Sequence, residues 1–176
     1  MYAYFLHFHN TLRWLILLSL VITLVKGDVL FSTLGTTIKT AKTKENQYRV
    51  DFTYQYEFAK AASENGVPAY LLVSSLGANP KSSVFYSQMK GELEDAVAKL
   101  PFQKLFIIRP SILDGDRQEK RAGEKFGLIL SRFVTKFILK VYKPTPVDLL
   151  ATKMISLSLQ KVPGIRTIGG LEIFQN

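Results

Sequence analysis

Ala69-Tyr-Leu-Leu-Val-Ser-Ser-Leu-Gly-Ala-Asn-Pro80, followed after five residues by Tyr86-Ser-Gln-Met-Lys90, is the stretch whose reading decides the fold. Five apolar residues in a row, closed by two serines and a Gly/Asn/Pro loop, read as a buried strand entering a turn. Residues 86–100 then read as a helix, and Lys104-Leu-Phe-Ile-Ile108 as a second buried strand ending at Arg109-Pro110. Upstream, Asp28-Val-Leu-Phe-Ser-Thr-Leu-Gly35 is an apolar run leading into Thr36 and Thr37. Residues 47–65 place Tyr48, Phe52, Tyr56, Ala59 and Ala62 at spacings of three and four, and stop at Asn65-Gly66 as a helix does. Strand, helix, strand, helix, strand is the pattern of a parallel sheet buried on both faces. Ligands of such sheets bind beyond the carboxyl ends of the strands, where the loops at Thr36, Ser75 and Pro110 fall.

Outward from this centre the pattern loosens. Residues 147–159 read as a closing helix before a turn at Gly169-Gly170. Between positions 117 and 143 eight Lys or Arg face two Glu. That run is either a solvated helix face or a surface for phosphate or anionic lipid. The whole chain has 176 residues, 47% hydrophobic and 21% charged, which suits one folded domain. Its formal charge of +9 favours anionic partners. With no basic–aromatic motif beside that charge, nucleic acid is not the expected one. No cysteine is present and only two histidines, His7 and His9, so disulfides, thiolate metal sites, cysteine nucleophiles and His-based triads are excluded or confined to the extreme N-terminus.

Residues 1–25 read as an apolar helix, roughly 36 Å for twenty-four residues, enough to cross a bilayer. Arg13, His7, His9 and Asn10 interrupt it, leaving an unbroken apolar run only over residues 14–25. Two readings stand: a membrane anchor that keeps the following basic domain cytoplasmic, or a helix packed on the sheet. Residues 26–176 form the domain proper.

Tyr86 and Lys90 stand at i and i+4, one above the other on a helix face. An adjacent ammonium favours the phenolate, which fits a tyrosine to exchange a proton with a carbonyl oxygen, and a serine at the preceding strand end would hold that oxygen. Tyr56-Glu-Phe-Ala-Lys60 has the same spacing, but no strand-end serine precedes it, so that pair reads as structural.

The runs Asp28-Val-Leu-Phe-Ser-Thr-Leu-Gly-Thr-Thr37, Tyr48-Arg-Val-Asp51, Leu72-Val-Ser-Ser-Leu-Gly-Ala78, Tyr86-Ser-Gln-Met-Lys-Gly-Glu-Leu-Glu94 and Ile108-Arg-Pro-Ser-Ile-Leu-Asp-Gly115 resemble the atypical short-chain dehydrogenases related to the Tat-interacting protein, with bacterial NAD(P)-binding oxidoreductases, also labelled semialdehyde-dehydrogenase-like, among them. The resemblance implies an α/β partial Rossmann fold, a parallel sheet with flanking helices, and an oxidoreductase acting on a small carbonyl compound with NADP or NAD. It implies Tyr86 as proton donor and Lys90 as its electrostatic partner and ribose contact. Ser75 is implied as the carbonyl-orienting serine, with Ser74 as the fallback. Leu34, Gly35 and Thr36 match the loop along the cofactor ribose, and Arg109, Pro110 and Ser111 the loop beside the nicotinamide. Asp51 stands where the standard tetrad has a helix-borne Asn.

The family's glycine-rich loop, which holds the pyrophosphate at a helix N-terminus, has no counterpart here, since no glycine precedes Gly27. The chain therefore reads as truncated or rearranged ahead of the sheet, lacking the first βαβ units, with weakened or lost cofactor binding, bare sheet faces and an unpaired central strand that a partner chain would cover. The competing reading is a membrane-anchored, non-catalytic scaffold built on the retained half.

Overall fold

The computed structural model describes residues 27–114 and 143–175. Four strands form one wholly parallel sheet: β1 (Val29–Ser32), β2 (Ala69–Val73), β3 (Lys104–Arg109) and β6 (Gly164–Gly169), in the order β1-β2-β3-β6. Val29 faces Ala69 at the start of the β1–β2 register, and Ala69 in turn faces Lys104. Between β3 and β6 lie β4 (Leu113–Asp114) and β5 (Thr145–Pro146), a parallel two-residue ladder that ties the loop after β3 to the segment resuming at 143.

The period of two along the strands sorts their side chains onto two cores. Tyr70, Leu72, Leu105 and Ile107 turn to one face, where they meet Ala59, Leu93 and Val97 from α3 (Gln55–Glu64) and α4 (Phe85–Val97). Leu71, Val73, Phe106 and Ile108 turn to the other, against Leu150, Met154 and Leu157 of α5 (Val147–Leu159) and Ile173 of the 3₁₀ turn Gly170–Phe174. Both faces of β2 and β3 are thus covered, which corrects the expectation of bare sheet faces for the two central strands; on the flanking strands Phe31 of β1 and Ile165 of β6 remain exposed. The helices that cover them lie within the domain itself. The outer edge of β1 has no strand beside it among the described residues.

The expected helix over 47–65 begins earlier. Two short helices, α1 (Ile38–Ala41) and α2 (Lys44–Tyr48), follow β1, each started by a threonine cap: Thr37 Oγ1 accepts from Thr40 N at 3.2 Å, and Thr43 Oγ1 from Asn46 N at 3.1 Å. From α2 the chain passes without a break through a π-helical stretch, Arg49–Tyr54, into α3. It ends at Asn65 and Gly66, the latter at φ 78°, the left-handed conformation a glycine adopts at no cost.

β6 and the β4–β5 ladder are additions to the sequence reading. Gly164-Ile-Arg-Thr-Ile-Gly169 alternates too weakly to announce a strand, and only Ile168 in it is buried. Its extended form comes from pairing along the free edge of β3, a contact some sixty residues distant in sequence.

Candidate active site

The loops at the carboxyl ends of β1, β2 and β3 and the start of α4 enclose a cleft of about 760 Å³. Pairing continues past the strands and fixes two of its walls: Ser74 N donates to Ile108 O at 2.7 Å and Leu76 N to Pro110 O at 3.0 Å. Of the residues singled out in the sequence, Leu34, Gly35, Thr36, Ser74, Ser75, Tyr86, Lys90, Pro110 and Ser111 all line this cleft. Arg109 does not. Its guanidinium turns to Glu94 on α4, with Nε 3.0 Å from Oε1 and a further short bond from the terminal nitrogen to Oε2.

Tyr86 and Lys90 reach the cleft from the first two turns of α4. The helix is held against the loop after β2 by Gly91, where any Cβ would collide with the backbone of Asn79 and Pro80. Lys90 is 2% exposed. Burial pushes its ammonium down from the ordinary lysine value, and the carboxylates of Asp51 and Glu94 pull it partly back.

Asp51, on the π-helical stretch, is fully buried. Its Oδ1 accepts from Thr36 N at 2.6 Å and its Oδ2 from Gln47 Nε2 at 3.3 Å, while the same Gln47 amide donates to Thr36 O at 3.2 Å. Burial raises the Asp51 carboxyl above the usual aspartate range, and the Lys90 charge opposes this. Gln55 continues the network, donating to Asp51 O at 2.7 Å and accepting from Ser32 Oγ at 2.7 Å. The loop of Leu34, Gly35 and Thr36 is therefore pinned at Thr36 by two side chains, Gln47 and Asp51, while Gln55 holds the end of β1 through Ser32. Across the cleft, Ser111 Oγ donates to Lys143 O and lies 3.3 Å from Thr145 Oγ1, so the loop after β3 is tied to β5.

The buried hydroxyl of Ser74, 5% exposed, has no hydrogen-bond partner among the described residues. An unpaired hydroxyl in a cleft wall suits a polar ligand that completes it. Together with Lys90, Tyr86 and the Pro110-Ser111 loop it fits the nicotinamide and ribose end of a dinucleotide. Sequence reasoning missed Glu94 and Gln47 as parts of this site. Glu94 was legible as the i+4 neighbour of Lys90, whereas Gln47 carried no signal of its own.

Among solved structures the chain is similar to dTDP-4-dehydrorhamnose reductase of Bacillus anthracis in complex with NADP, at a TM-score of 0.59 and 18% identity over 86% of this chain and 60% of that one. It is also similar to the enzyme WbmH of Bordetella bronchiseptica in complex with NAD+, at 0.61 and 15% over 86% and 56%. The fold is Rossmann-like. No protein-family model matches the chain. Curated relatives are fungal: a protein named fmp52, mitochondrial, of Aspergillus clavatus is 34% identical over 143 residues, 78% of this chain and 59% of that protein. The FMP52 protein of Candida albicans, also named mitochondrial, is 46% identical over 95 residues, 54% and 42% of the two chains. The chain spans about half the length of the curated relatives it matches.

These relatives correct two expectations. They are fungal where bacterial ones were expected. A cytoplasmic location is overturned by the mitochondrial names; among the described residues no helix is long and apolar enough to cross a membrane. Residues 1–25, and residues 117–142 of the basic run, lie outside the described residues; Lys143, within them, sits 4.6 Å over the Phe174 ring. Nothing in the comparisons favours the scaffold reading.

Proposed function

We propose that the chain is an NAD(P)-binding oxidoreductase domain of short-chain dehydrogenase type, working in mitochondria on a small carbonyl compound or the matching alcohol. The observation that carries this reading is one cleft, at the carboxyl ends of parallel strands, lined together by a strand-end serine pair and a tyrosine and buried lysine one helical turn apart. A bound nicotinamide supplies or accepts hydride there. The chain's own residues handle the proton and the orientation. Tyr86 donates its hydroxyl proton to the substrate oxygen, and the Lys90 ammonium stabilises the phenolate that remains. Ser75 orients the carbonyl by hydrogen bonding, Ser74 being its alternate. Lys90, with Leu34, Gly35 and Thr36, would hold the nicotinamide ribose, and Pro110 and Ser111 would contribute to the nicotinamide end of the site.

The test is titration of NADPH and NADH by their own fluorescence. Saturable binding that a Lys90→Met change weakens supports the reading, and no binding at millimolar cofactor removes it.

A further inference from the structure

A buried ammonium needs anions fixed near it. Two carboxylates flank Lys90, neither joined to it in a direct ion pair among the described residues. Glu94 follows it by one turn of α4 and is 5% exposed; Asp51, fully buried, comes from the π-helical stretch against which α4 packs. Each carboxylate is held by donors of its own. Asp51 is fixed by the Thr36 N–H and the Gln47 amide, and Glu94 by the fork of Arg109, a planar two-point grip that leaves the carboxylate little freedom. Asp51, Lys90, Glu94 and Arg109 together make a neutral group of four charges running from the loop after β1 to the end of β3.

We infer that Asp51 and Glu94 are positioning residues which keep the Lys90 ammonium charged and fixed at the cleft wall, and that Arg109 serves the site through Glu94 and not by touching a cofactor. The use made of Lys90 rests on the proposed function; the arrangement of charges does not. The π-helical stretch acquires a purpose in this arrangement. π-turns inside α-helices recur at functional sites, and here the widened turn carries the side chain that bonds the Thr36 loop and faces Lys90.

The directions of titration agree with the geometry: burial drives Lys90 down while Asp51 and then Glu94 draw it up, and Arg109 is raised chiefly by its hydrogen bonds to Glu94. Among the described residues, the charged or titratable groups around Lys90 are Tyr86 and Glu94 on its own helix, Asp51 on the π-helical stretch, Lys44 of α2 in the same cleft, and Arg109 behind Glu94. Replacing either carboxylate by its amide removes an attraction for the ammonium, so the Lys90 titration midpoint falls.

The experiment uses the full chain labelled with ¹³C at the lysine ε-carbons, the Lys90 resonance being assigned by its loss in Lys90→Arg. Asp51→Asn and Glu94→Gln should each lower the Lys90 midpoint by about one unit or more, whereas Glu94→Asp, which keeps the charge, should hold it near the parent value. NADH affinity of the amide variants should match the parent on the acid side of the measured Lys90 midpoints, where the ammonium persists in all of them, and fall severalfold behind it between the variant and parent midpoints. An unchanged Lys90 midpoint in either folded amide variant overturns the inference. So does an affinity loss independent of pH, which marks a merely structural role. If neither amide variant folds, a Lys90 midpoint in Glu94→Asp well below the parent's overturns it, and one near the parent supports it. If the parent chain binds no NADH, the proposed function fails and the Lys90 titration alone decides the inference.

Discussion

Tyr56 with Lys60 on α3 and Tyr86 with Lys90 on α4 are the same four-residue spacing on two helices that cover the same face of one sheet, and the structure gives them opposite lives. Lys60 is exposed and reaches Glu64, 3.9 Å away along its own helix, while Tyr56 stacks near Phe52, their ring centroids 6.1 Å apart. Lys90 is buried, and both it and Tyr86 line the cleft. Spacing places two side chains on one face; whether that face meets water or a strand-end loop decides what they do. The largest expected contrast is therefore in turnover. With a carbonyl selected from a substrate panel, Tyr86→Phe should lower the NADPH oxidation rate by roughly 10²–10⁴-fold, the usual worth of a positioned acid. Tyr56→Phe should leave it within a factor of about two. Equal losses in the two variants would erase the distinction between the pairs.

Next in size is what holds α4 in place. Gly91 sits one residue after Lys90, with the Asn79–Pro80 backbone packed where a side chain would be, and α3 has no glycine at all. Gly91→Ala should destabilise the domain by about 1–3 kcal/mol through overpacking, despite alanine's better helix propensity. The substitution would also displace Tyr86 and Lys90 from the loop of Ser74 and Ser75. Urea denaturation of the variant measures the first effect. Unaltered stability would mean that α4 tolerates distance from the loop, and that the cleft is looser than the close contact implies.

Much of this architecture could be read before any coordinates. The five apolar residues of β2 and the run of β3 are buried on both faces, so their composition alone marks them, and the bounds of β2 and α5 coincide with the sequence reading. Ser74, Ser75, Tyr86 and Lys90 were legible because local order, strand end then helix, puts them together. Arg109 was misplaced for a non-local reason. A residue at a strand's end has two ways to turn, and the presence of Glu94, fifteen residues earlier, settles which. β6 was invisible for a related cause: an edge strand with one buried residue is made by its neighbour more than by its own pattern. The π-helical stretch leaves the apolar spacing of 48, 52 and 56 almost intact, so nothing in the periodicity marks it.

A smaller effect follows from the buried carboxylate beneath the cleft, which has no counterpart under Lys60. Asp51 has its folded-state value raised by burial, so between the ordinary aspartate range and that raised value the folded chain binds a proton the unfolded chain lacks. Stability attributable to this group is then present at low pH and falls as pH rises through the window. In Asp51→Asn that part of the slope should vanish. Denaturation midpoints of parent and variant, followed upward from about pH 4, should diverge in steepness; parallel curves would show that Lys90 and the donors of Thr36 and Gln47 already compensate the burial in full.

The smallest expected effect is the control that gives the others meaning. Lys60 and Glu64 form an exposed pair one turn apart, and such pairs contribute about 0.3–0.5 kcal/mol. Lys60→Met should change stability by no more than that, leave NADH affinity unaltered, and lose even its small effect in high salt, where exposed charges are screened. Lys90→Met removes a cation that two anchored carboxylates face, so it leaves buried negative charge without its partner and is felt in both stability and cofactor affinity. The two substitutions are chemically identical, and any difference between them measures environment alone. If Lys60→Met weakened NADH binding as much as Lys90→Met does, the site would not be defined by the cleft at the strand ends, and the spacing shared by the two helices would have to be given a function on both.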